Sequence, residues 1–136
     1  MPIASIDPRT GETLQTFAAL TDAEIDHKLE AGHRAFLSWR RLSFAARAKP
    51  MLRAAEILEA EKESLGRMMT EEMGKTLVAA IAEADKCAKV CRYYAQHAEA
   101  ELADEVISTE AQTSYVRYQP LGIVLAVMPW NFPFWQ

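Results

Sequence analysis

Trp130 and Asn131, held between Pro129 and Pro133, are the residues of this chain best suited to chemistry. An asparagine amide can donate two hydrogen bonds, and an indole offers a flat apolar wall with one donor. They follow residues 123–128, IVLAVM, an unbroken apolar run that suits a strand buried on both faces. Pro129 ends the run because it has no N–H to give to a sheet ladder. In an open parallel sheet, ligands sit outside the carboxyl ends of the strands. Trp130 and Asn131 are therefore expected at that crevice. A second reading stands beside this one: an asparagine in a turn commonly bonds its own backbone.

Other reactive side chains have plainer explanations. Cys87 and Cys91 are four residues apart in a helical pattern, which puts them on one face but too far apart for an unstrained disulfide. They read as small core residues. A metal pair would need more ligands than His97 can add. A nucleophile would need a base and oxyanion donors close by. His27 and His33 lack a carboxylate or thiol at metal spacing, so no metal site is expected. No G-x-G-x-x-G or phosphate-loop motif occurs.

The elements that must hold Trp130 and Asn131 can be read from pattern. Ile3 to Ile6 and Thr13 to Phe17 flank DPRTGE, whose Asp7, Pro8 and Gly11 are turn residues; a β-hairpin is expected, with Leu14 and Phe17 packing inward. Thr21 and Glu24 have capping-box spacing. Ile25, Leu29, Gly32, Phe36 and Trp39 then make one apolar helical stripe. Phe44 to about Leu65 predicts a second helix, opened or bent by Pro50. A third is predicted from Ser64 to Met73, ended by Gly74 as a left-handed cap. The fourth runs from Thr76 to about Leu102 with a stripe of mostly small residues, which permits close approach of a neighbouring helix. On its wet side, Glu83 with Lys86 and Asp85 with Lys89 are spaced to pair. Residues 106–108 and 114–119 read as a short two-stranded ribbon, which needs something to lie on.

At this point the segments acquire a family likeness. PLGIVLAVMPWNFPFWQ, residues 120–136, resembles the segment that opens the catalytic half of the NAD(P)-dependent aldehyde dehydrogenases, in the form found in the bacterial succinate-semialdehyde dehydrogenase branch. DPRTGE, EEMGKT at Glu71 to Thr76 and RYYA at Arg92 to Ala95 resemble further family segments, in order along the chain. The resemblance implies an α/β fold caught at its N-terminal part: hairpin, helical layer, projecting ribbon and first strand of a Rossmann-like parallel sheet. It implies that residues 1–102 form the hairpin and helical part of the cofactor-binding domain. Residues 103–119 would be an oligomerisation ribbon, and residues 120–136 the start of the cofactor-binding sheet.

The same resemblance implies a small aldehyde as substrate, NADP or NAD as cofactor, and a homo-oligomer, dimer or tetramer. Asn131 matches the family asparagine whose amide helps bind the oxyanion formed by a cysteine thiolate. Trp130 and Asn131 match positions lining the cofactor site, with backbone at Met128 and Pro129 contributing, and Phe132 matches a wall of the substrate funnel. The family's nucleophile, base and phosphate-binding helix have no counterpart in residues 1–136, so the chain is read as an N-terminal portion. Two rivals stand: an enzyme of this family for another small aldehyde, and a non-catalytic helical interaction module.

Bulk properties narrow the partners. Among 136 residues, 19 acidic side chains face 15 basic ones, and no long basic run occurs, so nucleic acid is not expected. The opening MPIASIDPRT lacks the charged and apolar regions of an export signal. No apolar stretch approaches a membrane span. Cytoplasm is the expected location.

Overall fold

The computed structural model describes residues 3–136; Met1 and Pro2, the first residues of the opening read for an export signal, lie outside these. The hairpin forms as expected, from β1 (Ile3–Ile6) and β2 (Thr13–Phe17), antiparallel, with Ile3 opposite Phe17 and an irregularity between Ser5 and Ile6. Asp7 closes the turn. Its carboxylate accepts the backbone N–H of Arg9 at 2.8 Å and the Arg9 guanidinium at 2.7 Å, while its carbonyl accepts from Gly11 N–H at 2.8 Å. Those bonds from Arg9, side chain first and backbone second, hold the Asp7 carboxyl at about 2. Leu14 and Phe17 do not pack inward: both stay about half exposed. The hairpin instead meets the body through Ser5, whose hydroxyl donates to Glu72.

Among the described residues three helices follow, not four. Helix α1 (Asp22–Trp39) starts with the predicted capping box, Thr21 N donating to Glu24 Oε2 at 2.8 Å and Glu24 N to Thr21 Oγ1 at 3.3 Å. Helix α2 (Phe44–Met73) runs unbroken through the position where a third helix was predicted to start. Ser64 does not cap a new helix there; its hydroxyl donates to the Glu61 carbonyl one turn back, at 2.8 Å. Pro50 lies inside α2 with its ring exposed, and the helix continues past it. Gly74 ends α2 with φ 74°, its N–H bonded to the Thr70 carbonyl at 3.0 Å. That left-handed conformation is why glycine stands there.

Helix α3 (Leu77–Glu101) returns antiparallel to α2, and the core lies between them. Ala55 and Met69 from α2, with Ala80, Ala84, Cys87 and Ala88 from α3, are buried. Small residues bring the backbones together at Gly66, where an added Cβ would stand 2.7 Å from Ile81 Cγ1 and 3.2 Å from the Ile81 backbone nitrogen. Of the methionines in residues 68–73, Met69 alone is fully buried, and Met68 faces out. Across the seam, Arg92 pairs with Glu59, and Lys62 Nζ lies 3.4 Å from Asp85. Such exposed pairs contribute about 0.2–1 kcal/mol each. Asp85 also takes Lys89 at 2.8 Å, as the spacing predicted.

Helix α1 has no buried residue. Only Gly32 and Phe36 of its stripe are partly covered, by Ile123 and Gly122. The ribbon is present but shorter than predicted, with β3 (Glu105–Val106) paired antiparallel to β4 (Tyr115–Val116). Residues 123–128 form no strand and are exposed, Leu125 at 89%. The physical reason is general: a parallel strand exists only as a member of a ladder, and both sheets among the described residues are antiparallel pairs.

Gly66→Ala is expected to force α2 and α3 apart and to destabilise the chain by about 1–3 kcal/mol, because backbone as well as side chain of Ile81 stands in the way. Thermal unfolding of the variant at wild-type stability would show that the close approach is not needed.

Candidate functional site

Residues 130–135 fold into a tight turn after the extended segment, and two elements hold it. One is the connection Gly74, Lys75, Thr76 between α2 and α3. The other is the second turn of α3, which carries Glu83. Phe134 packs onto the buried cluster of Met69, Ala80 and Ala84, so the turn is seated on the core.

Glu83 does most of the fastening. Its side chain is 2% exposed, on the face of α3 that also buries Ala80, Ala84 and Cys87. Oε1 accepts the backbone N–H groups of both Phe134 and Trp135, each at 3.0 Å. Oε2 takes the ammonium of Lys75, whose side chain is 12% exposed. Burial alone would raise the carboxyl pKa. The Lys75 bond and the two N–H donors outweigh it and hold Glu83 below the usual glutamate value, so it is ionised.

Lys75 continues the chain of contacts. Its Nζ donates to the Asn131 carbonyl at 3.1 Å and lies 3.7 Å from the Phe132 ring centroid. Lys86 was expected to pair with Glu83 on the wet side. It sits over the Trp135 ring instead, Nζ 3.6 Å from the centroid, because the Glu83 carboxylate is turned inward. An ammonium over an aromatic face contributes about 0.5–1 kcal/mol where exposed. Four of the six turn residues are thus held by two lysines and one glutamate.

The residues singled out from sequence lie on the free side of this turn. Asn131 is exposed, and no side-chain hydrogen bond among the described residues engages its amide. Its backbone carbonyl is held while its side chain keeps its donors for another partner. Trp130 is 73% exposed and lines, with Pro133, Glu72 and Met73, an open cleft of about 390 Å³. Met128 and Phe132 are also exposed. Lys75 and Glu83 were not identified from sequence. Glu83 flanks the small-residue stripe of α3, and spacing along the helix alone put it on the wet side; its burial follows from packing against α2 and the turn.

The cysteines behave as core residues. Cys87 is buried and Cys91 half-buried, both as free thiols. Burial, then the nearby Glu83 charge, pushes the Cys87 thiol up, the opposite of an activated nucleophile. His97 stacks on Tyr93 at 4.4 Å between centroids. No metal-ligating cluster occurs among the described residues, and no helix there is long and apolar enough to cross a membrane.

Glu83→Ala leaves Lys75 buried without its counter-charge and two turn N–H groups without an acceptor. It is expected to cost about 3–5 kcal/mol, the range for breaking a buried pair by removing one partner. Chemical denaturation checks this; a loss under about 1 kcal/mol would mean the turn is held by Phe134 packing alone.

Comparison with known proteins agrees with this architecture. The aldehyde dehydrogenase family matches residues 1–136. Among curated relatives, an NADP(+) succinate-semialdehyde dehydrogenase of Mycobacterium bovis is 57% identical over 139 residues. The probable NADP(+) succinate-semialdehyde dehydrogenase of Synechocystis sp. is 53% identical over 136 residues. Each comparison covers all of this chain and 30% of the relative. Among solved structures, succinic semialdehyde dehydrogenase from Streptococcus pyogenes, in complex with NADP+, superposes with a TM-score of 0.92 at 34% identity, over 98% of this chain and 30% of that one. The hairpin, helical layer and ribbon match the N-terminal part of that fold. The chain spans about 30% of the length of the relatives it matches, and it belongs to the aldehyde dehydrogenase family.

Proposed function

We propose that this chain forms the N-terminal part of an NADP- or NAD-dependent aldehyde dehydrogenase that oxidises succinate semialdehyde to succinate. The observation that carries this reading is the state of Asn131. Its carbonyl is fastened by Lys75 while its side-chain amide stands exposed with no partner among the described residues. In this reading a cysteine thiolate outside the chain adds to the aldehyde carbon, and the amide donates to the oxygen as negative charge develops there. Neither Cys87 nor Cys91 can serve as that nucleophile, since one thiol is buried and the other lies mid-helix.

A nicotinamide cofactor fits the residues present. The exposed indole of Trp130 lines an open cleft, and the next residue, Asn131, is exposed with its amide unengaged among the described residues. Trp130 and Asn131 would hold one edge of it, with backbone at Met128 and Pro129. When bound, the cofactor supplies the hydride acceptor. Phe132, its ring held under Lys75, would form a wall of the substrate path. NADP is favoured over NAD by the curated relatives named above, and succinate semialdehyde by the same names.

The domain division goes with this reading: residues 1–102 and 120–136 in the cofactor-binding part, residues 103–119 in subunit contacts. The ribbon is held in shape by Arg117, whose Nε donates to Asp104 at 2.8 Å, while Val106 and Tyr118 on it are exposed. A homo-oligomer in the cytoplasm is the corresponding expectation.

Asn131→Ala in the enzyme carrying this chain is expected to lower kcat by two to three powers of ten, about 3 kcal/mol of transition-state stabilisation, with the fold intact. Turnover near wild type would remove the oxyanion role. Residues 1–136 alone, assayed with a panel of aldehydes and both nicotinamide cofactors, are expected to form no reduced cofactor; aldehyde-dependent formation would show that the chain carries its own nucleophile.

A further inference from the structure

The turn that presents Asn131 is tied down by two largely buried side chains, those of Lys75 and Glu83. Lys75 Nζ holds the Asn131 carbonyl at 3.1 Å and is itself held by Glu83. The other oxygen of Glu83 holds the end of the turn, three and four residues on, through the N–H groups of Phe134 and Trp135. Both side chains are largely buried, and both are ion-paired within the protein. The path from α3 to the amide is therefore short: Glu83, Lys75, Asn131 carbonyl, Asn131 side chain. A peptide group is planar, so anchoring the Asn131 carbonyl restricts where the Asn131 Cα, and hence its side-chain amide, can stand.

We infer that Lys75 and Glu83 are positioning residues for Asn131, a buried ion pair that sets the amide of the oxyanion donor through its backbone. This rests on the reading of Asn131 given above. A donor to a developing oxyanion is effective only when placed before the reaction begins, and a misplacement of about 1 Å costs on the order of a hundredfold in rate. Lys75 would thus act on kcat while touching neither substrate nor cofactor. The contact of Lys86 with the Trp135 ring is not part of this path, because it lies at the far end of the turn.

The test is a double-mutant cycle in the enzyme carrying this chain, with Lys75→Met, Asn131→Ala and both together. Lys75→Met is expected to lower kcat and kcat/KM equally, by about tenfold to a hundredfold, as does loss of an interaction made only in the transition state. It is expected to add nothing once Asn131 is alanine. Lys75→Arg, which keeps the charge and a donor, is expected to recover most of the rate. Independent losses in the double variant, or wild-type turnover in Lys75→Met, overturn the positioning role while leaving the oxyanion reading in place. Wild-type turnover in Asn131→Ala overturns both.

Should Lys75→Met fail to fold, Glu83→Gln takes its place in the cycle, since glutamine keeps one acceptor oxygen for the two N–H groups while it loses the charge and turns an NH2 donor toward Lys75. A readout free of activity accompanies it. Amide hydrogen exchange at Phe134 and Trp135 is expected to quicken about tenfold in Glu83→Gln, because a neutral acceptor is roughly half as strong as a charged one, with α1 unchanged. Unaltered exchange at both amides overturns the anchoring.

Discussion

A carboxylate placed on the inner face of a helix has few ways to remain there. Glu83 stands between Ala80 and Ala84 on the side of α3 that faces the core, where an unpaired charge would cost several kcal/mol. The pair partner arrives from the connection after α2, and the remaining lone pairs are met by backbone N–H groups more than fifty residues further along. Satisfying one charge thereby fixes the relative placement of three stretches of chain. The turn carrying Trp130 and Asn131 has its shape because Glu83 needed donors.

That arrangement works only if the platform beneath it is stiff. The α2 and α3 helices supply this through small residues, Gly66 lying under Ile81 and Ala80, Ala84 and Ala88 lining the seam. Backbones this close leave little room for sliding, since interiors pack at crystal-like density. Phe134 is seated on the same cluster, so apolar packing and the charge pair act on adjacent residues of one turn. Functional groups carried on such elements are placed more closely than groups carried on free loops. Asn131 is a loop residue whose position is borrowed from two helices.

Elsewhere the surface is strongly apolar. Helix α1 and residues 121–128 present leucine, isoleucine and valine side chains to solvent, Leu121 and Leu125 almost fully. Under the proposed function these are the faces on which the remainder of an aldehyde dehydrogenase would pack, completing the sheet around residues 123–128. The clamp at Glu83 does not wait for that: its partners are all within residues 75–135.

Local signals in the chain were sufficient for what depends on neighbours in sequence. The turn chemistry of Asp7 and Gly11, the reciprocal bonds of Thr21 and Glu24, and the left-handed Gly74 each concern residues a few positions apart, and each was legible. So was the family word at residues 129–133, because it is a string. The boundary between second and third helices was misplaced, since Ser64 resembles a cap until its hydroxyl is seen bonded one turn back. Residues 123–128 were read as buried because apolar composition reports what a segment prefers, while burial requires a partner that the described residues do not offer. Spacing along one helix pairs Glu83 with Lys86; helix packing turns Glu83 inward and gives it to Lys75 and the turn. By itself, then, the sequence determined the hairpin, the capping box at Thr21, the left-handed cap at Gly74 and the family. Tertiary structure alone decided which charge is buried and what it holds, because the energy of a buried carboxylate depends on donors brought together from distant positions, a quantity no local pattern contains.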